Sequence, residues 1–313
     1  MPANDVKNSI SSVISGGTPH GLSAFCYMKS SDGNIIKKFN LTDSFRDTLD
    51  EMISSVIIEK YTNDDIQYDI VDNISDDCNK IYVVPLTEDY NPFTFLDNID
   101  EVIDAFTESD QENLLGFLFK FNINNSVVWG YQHVFSTSIS KRKKGLLTAV
   151  NRQNIFEHMN KKLLCIDNRI DVIIVGSDLC PLKIKFLERC FGFETFIRNE
   201  AKQTIEVIET IDIVENINIL SEFEGTEQTT NAKKLLKIKN SPVLRLSPNV
   251  IIERIQQIPR YSASLAINNG KIQLNNKKDV GLFLKLLGDD FLKSELTEEE
   301  YDSSNKKILE PIN

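Results

Sequence analysis

Among the 313 residues, those whose types could support catalysis are three histidines, five cysteines and a few carboxylates near lysines. His20, His133 and His158 lie far apart, with no HxH or HExxH spacing for a metal. A lone histidine acts as a general base only when a partner positions it. Cys26, Cys78, Cys165, Cys180 and Cys190 form no CxxC pair, so they read as reduced thiols, several of them core residues. Asp167, Asp171 and Asp178, with Lys183 or Lys185, superficially resemble the carboxylate-and-lysine recipe of a magnesium-dependent nuclease. However, Asp167 and Asp178 fall in turns, where aspartate bonds its own backbone, and neither lysine has an acid two positions before it. No GxxxxGK[ST], GxGxxG or GxSxG motif occurs. The sequence therefore assigns no catalytic residue, metal ligand or cofactor, and the expectation is a non-enzyme.

The basic residues say more. Residues 1–140 hold 8 Lys and Arg against 22 Asp and Glu, whereas residues 141–287 hold 24 against 16. The whole chain is acidic, at −11, yet its middle can attract a polyanion. The cations come in groups: Lys141, Arg142, Lys143 and Lys144 in a run, Lys161 and Lys162 as a pair, then Lys233, Lys234, Lys237 and Lys239. On a helix Lys233 and Lys237 stand one turn apart while Leu235, Leu236 and Ile238 face inward. Lys271, Lys277 and Lys278 make a further set. Phosphates need point charges along a track and no strict spacing.

The elements that must position these groups follow from periodicity. Ala24–Lys29 and Ile35–Phe39 read as a hairpin around Ser30–Gly33. Phe45, Leu49, Met52, Ile53 and Val56 predict a helix over 43–60, capped by Thr42 or Asp43. Ile66–Ile70 and Ile81–Leu86 read as strands flanking an acidic loop at Asp76 and Asp77. Leu96, Ile99, Val102, Ile103 and Phe106 suggest a second amphipathic helix after Pro92 and Thr94. Leu114–Phe121 and Val127–Phe135 read as aromatic-rich strands in which Trp129, Tyr131 and His133 pack across strands.

A polar, basic stretch around Ser136–Gly145 suggests a boundary. Beyond it, Leu163–Asp167, Ile170–Val175 and Leu179–Ile184 read as an antiparallel meander, followed by helices to about Leu236. Helices are further expected over 232–239 and 248–258, then a hairpin at Asn268-Asn269-Gly270. A last helix carries Val280, Phe283, Leu284 and Leu287. The fold class is α+β: an acidic N-terminal unit over residues 1–140 and a basic unit over residues 141–313. The longest purely aliphatic stretch, Val172–Val175, is far below the roughly 20 residues of a membrane span. The first residues lack a signal-peptide core, so the expected location is the cytoplasm.

Two stretches carry a resemblance: Asn168–Glu194, NRIDVIIVGSDLCPLKIKFLERCFGFE, and Gly270–Lys307, GKIQLNNKKDVGLFLKLLGDDFLKSELTEEEYDSSNKK. They resemble the domain of unknown function of the KwaB family of bacterial Kiwa anti-phage defence systems. The likeness extends over residues 160–307 and more loosely over residues 1–159. It implies a DNA-binding protein that hinders phage DNA replication or transcription, self-associates as a homo-oligomer, and works with KwaA, a membrane subunit that senses infection. It brings no catalytic motif. With the charge pattern, it makes Lys141–Lys144, Lys161, Lys162, Lys233, Lys234, Lys237 and Lys239 the expected DNA contacts. The acidic part is expected to meet basic loops of the membrane partner, with Asp76 and Asp77 as contacts. A metal-dependent nuclease and a non-catalytic protein scaffold are the competing readings.

Overall fold

Along one strand Ala24, Cys26 and Met28 alternate with Phe25 and Tyr27, and the two sets must go to opposite faces of a sheet. All five are buried, so both faces of that sheet are covered. A computed structural model describes residues 2–14, 21–31, 33–71, 79–123, 126–135, 149–152, 155–158, 164–224 and 230–303. They fall into two compact units, one from residues 1–70 and 78–191, the other from residues 71–77 and 192–313.

The first unit opens with helix α1 (Ala3–Ile14), the hairpin β1 (Ser23–Ser30) and β2 (Gly33–Lys38), and helix α2 (Asp43–Ile57). The Thr42 hydroxyl accepts the Phe45 N–H at 3.4 Å, the expected cap. The helix continues as a wider π turn, Ile58–Thr62, which carries Tyr61 into the core, where its hydroxyl donates to Ile170 O at 3.2 Å. Strands β3 (Gln67–Ile70), β4 (Lys80–Pro85), β5 (Leu114–Ile123) and β6 (Ser126–His133) follow. After the small hairpin β7 (Ala149–Arg152) and β8 (Ile155–His158) come β9 (Val172–Val175), β10 (Asp178–Pro181) and the short helix α3 (Ile184–Cys190).

One eight-stranded sheet runs β2-β1-β5-β6-β9-β10-β4-β3, antiparallel throughout except for the β3–β4 pair. The hairpin β9–β10, read from the sequence as opening a second part, is hydrogen-bonded between β6 and β4. Burial on both faces explains its unbroken Val-Ile-Ile-Val. One face packs against α1 and α2 through Ile10, Ile53, Phe117 and Phe119. On the other, Tyr27, Phe93, Tyr131 and Phe191 form a chain of ring contacts, with centroids 4.9 to 6.1 Å apart. Tyr131 lies over Gly116, where a Cβ would fall 2.5 Å from its ring.

The helix expected after Pro92 is a correction. Only a 3-10 stretch forms, Thr94–Glu101, and Ile103 is 84% exposed. Residues 104–106 instead lie along the edge of β2: Lys38 N–H donates to Asp104 O at 2.8 Å and Phe106 N–H to Lys38 O at 2.9 Å. Those bonds to a sheet edge replace the helical ones. The expected strand over 163–167 is also replaced: among the described residues, 164–169 form no strand of the sheet.

The second unit is mostly helical: α4 (Phe193–Ile211), α5 (Asn218–Glu224), α6 (Thr230–Ile238), α7 (Pro248–Gln257), α8 (Pro259–Ser262) and α9 (Lys277–Leu287). Ala201, Ile205 and Ile208 line the buried face of α4, and Val280, Phe283, Leu284 and Leu287 that of α9. Between α8 and α9 stands the hairpin β11 (Ala266–Asn268) and β12 (Lys271–Gln273). Its turn residues Asn269 and Gly270 have φ of 49° and 78°, the left-handed pair that a tight hairpin requires. Asn276 caps α9, its side chain accepting from Lys278 and Asp279 N–H at 2.9 and 3.1 Å. A last small hairpin, β13 (Phe291–Lys293) and β14 (Glu300–Asp302), closes the described chain. Cys26 and Cys180 are buried free thiols, Cys190 is half-buried and Cys165 exposed.

Candidate nucleic-acid interface

Helix α6 buries Ala232, Leu235, Leu236 and Ile238 and packs against α4 and α9. That apolar stripe fixes where the lysines go. Lys233 and Lys234 are half-buried on its flank. Lys237 reaches Asp290, just past α9, with its Nζ donating to Oδ1 at 2.7 Å, and the two side chains are only 18% and 14% exposed. Lys239 is ion-paired with Glu200 on α4. These two expected DNA contacts thus lie in the seams between helices. Lys141, Arg142, Lys143, Lys144, Lys161 and Lys162 lie outside the described residues, as do Asp76 and Asp77.

Other cations of the basic stretch are similarly engaged. Lys271 donates to Asp212 at 2.6 Å; Lys285 pairs with Asp302 and Arg260 with Glu300. Lys277, Lys278, Arg245 and Arg254 are exposed.

A second group, missed by sequence reasoning, sits at the C-terminal end of β6. The guanidinium carbons of Arg169 and Arg189 lie 4.6 and 5.6 Å from the Phe135 ring centroid. Arg169 donates to His133 O at 2.7 Å and pairs with Asp171 at 3.1 Å and Asp167 at 3.6 Å. Buried Gln132 donates to Asp167 O, Asp167 Oδ1 and Arg169 O at 2.6 to 2.7 Å. Asp171 also accepts the His133 N–H at 2.8 Å. Burial raises the Asp171 carboxyl above its ordinary value, against the pull of that N–H and of Arg169. Burial likewise lowers His133, with Arg169 and Arg189 adding to the effect and Asp171 opposing it. The His133 Nδ1 lies 3.2 Å from the Tyr131 hydroxyl. The sequence signal was an arginine, Arg169, between two aspartates, and it says nothing of the ring it would meet.

The nuclease recipe does not assemble. Asp171 and Asp178 stand at opposite ends of the β9–β10 hairpin, and Asp167 and Asp171 are both held by Arg169. Among the described residues, no group of three or more His, Cys, Asp or Glu side chains could hold a metal. Nor is any helix among them long and apolar enough to cross a membrane.

These features define an α+β protein with a mainly antiparallel, doubly covered sheet and a helical unit bearing most of the described lysines. Residues 111–297 match the family model described as Kiwa protein KwaB-like, and the chain belongs to that family. It is 22% identical over 326 residues to the Kiwa protein KwaB of Escherichia coli O55:H7 (strain RM12579 / EPEC), across 99% of this chain and 100% of that protein. No solved structure matches. Membership supports a role in Kiwa anti-phage defence.

Proposed function

We propose that the chain acts in Kiwa defence as a non-enzymatic protein that binds DNA largely without sequence preference and so hinders phage DNA replication or transcription. The observation that carries this is the excess of cations over acids between residues 141 and 287, 24 against 16, in a chain that is otherwise acidic. Residues 141–313 would form the DNA-binding part. The Lys141–Lys144 run, Lys161 and Lys162 would meet phosphates together with Lys233 and Lys234, whereas Lys237 and Lys239 would do so only by leaving Asp290 and Glu200. The acidic part, residues 1–140, would repel DNA and meet basic cytoplasmic loops of a KwaA-like membrane subunit. That contact would recruit a cytoplasmic homo-oligomer to the inner face of the membrane.

The test is an electrophoretic shift at several salt concentrations. With about four lysines on phosphates, log affinity falls against log salt with a slope near −3.6, or about a hundredfold between 50 and 200 mM. An affinity indifferent to salt, or to charge removal at Lys141–Lys144, overturns the reading. Cleavage of DNA with added Mg²⁺ would restore the nuclease alternative, and protein binding without DNA binding would favour a scaffold.

A further inference from the structure

The second unit holds a groove that the DNA reading does not use. Its volume is about 350 Å³, within the range of small-ligand sites. Four elements build its apolar lining: Ile251 from α7, Tyr261 from α8, Leu286 from α9 and Phe291 from β13. Tyr261 and Phe291 meet edge-on, with centroids 5.8 Å apart. Leu246 and Leu292 also line it, yet they are 45% and 42% exposed. Large aliphatic side chains left in water at the wall of an apolar cavity are stabilised by an apolar occupant.

The charges set the class of that occupant. Arg260 stacks on Phe291, 4.0 Å from its centroid, and is ion-paired with Glu300, so both charges are satisfied internally. Arg254, in the last turn of α7, is exposed on the groove wall, and among the described residues it has no ion pair. Lys293 is 60% exposed, and Glu298, its partner at 3.4 Å, is 80% exposed; such a pair is worth little. Asp289 contributes one further acid to the lining.

We propose that this groove binds one alkyl chain of an amphiphilic anion, whose carboxylate or phosphate head is met by Arg254 and Lys293. A free fatty-acid-like molecule and a bilayer lipid share this chemistry. The inference does not depend on the DNA reading.

The full chain is titrated calorimetrically with dodecanoate and with dodecyl phosphate below their micelle concentrations, with DNA binding measured in parallel. Saturable binding at one per chain is expected, weakened about tenfold by Arg254→Glu, which is about 1.4 kcal/mol. The pair Leu246→Asp and Leu292→Asp abolishes it; both side chains are exposed, and circular dichroism confirms folding. Dodecyltrimethylammonium binds at least ten times more weakly, and DNA affinity changes less than twofold with Leu246→Asp and Leu292→Asp. Anionic vesicles that bind the wild type and fail with Arg254→Glu identify a bilayer lipid as the source; binding of the soluble anions alone identifies a free amphiphile. No saturable binding of either anion, equal binding of the cationic amphiphile, or insensitivity to Arg254→Glu overturns the proposal. So does binding of an acidic amphipathic helical peptide when neither anion binds, because that assigns the groove to a protein partner.

Discussion

The sheet unit and the helical unit close their interiors by different means. In the first, the sheet is sandwiched between α1 and α2, packed through a mixed aliphatic and aromatic layer, on one face and a chain of aromatic rings on the other. Its ion pairs include Lys120–Asp100, from β5 to the 3-10 stretch, and Lys80–Asp69, between β4 and β3. In the second, lysines cross from one element to another: Lys237 to Asp290, Lys239 to Glu200 and Lys271 to Asp212. The number of lysines in a segment therefore sets its charge without setting how many cations remain free to meet a phosphate. Lys237 and Lys239 at α6 are occupied in this way.

That contrast can be broken most forcefully at Lys237. Its removal leaves Asp290 charged, mostly buried and unpaired, so Lys237→Ala is expected to cost about 3 kcal/mol, read as a lower urea midpoint. Replacing both partners, Lys237→Met with Asp290→Leu, should recover most of the loss. If the single change is neutral, the seam is not held by this pair. The corresponding test in the sheet is Gly116→Ala, which sets a methyl 2.5 Å from the Tyr131 ring. About 2 kcal/mol of destabilisation is expected from overpacking. Adding Tyr131→Leu should make the combined effect clearly less than additive.

Some of this organisation could be read in the sequence, because the signals were local. The Asn268–Gly270 turn carries its own backbone requirement, and α9 shows its caps and stripe within a dozen residues. The partners of those elements were not legible. Glu200 lies 39 residues from Lys239, and Asp290 lies 53 residues from Lys237; no helical spacing reports such a pair. The apolar run Val172–Val175 identified a strand, but the place of its hairpin between β6 and β4 depends on bonds to residues about 45 and 95 positions away. The false helix after Pro92 has the same origin, since the stripe was real but β2 offered residues 104–106 a sheet edge. Of the candidate DNA contacts, chemistry and clustering were visible, and engagement in seams was not.

The proposed DNA binding would sharpen the comparison on a smaller scale. Lys233→Gln with Lys234→Gln should reduce the salt slope by about 1.8, since each phosphate left without its lysine removes about 0.9. The seam-neutral pair Lys237→Met with Asp290→Leu should leave the slope unchanged, since it removes a cation and an anion together. Equal effects from the two pairs would mean that Lys237 leaves Asp290 to meet phosphate, and the seam would then be part of the interface.

The smallest effect concerns His133 in the sheet unit. Because its folded-state value lies below the ordinary 6.5, the unfolded chain binds the proton more tightly. Stability contributed by neutral His133 is therefore complete above about pH 6.5 and is lost as pH falls from there through the folded-state value. Asp171 has the opposite sign. Its raised value makes the ionised carboxylate a cost at neutral pH, relieved as pH falls from its folded-state value toward the ordinary carboxylate range. His133→Gln should flatten the acid-side loss that begins near pH 6.5, and Asp171→Asn should remove the relief at lower pH. Urea midpoints between pH 4 and 8 check both. An unchanged profile in His133→Gln would mean that the ring is wetter than its contacts with Tyr131, Phe135 and Phe186 imply. The cluster around Arg169 would then be looser than the helical seams it is compared with.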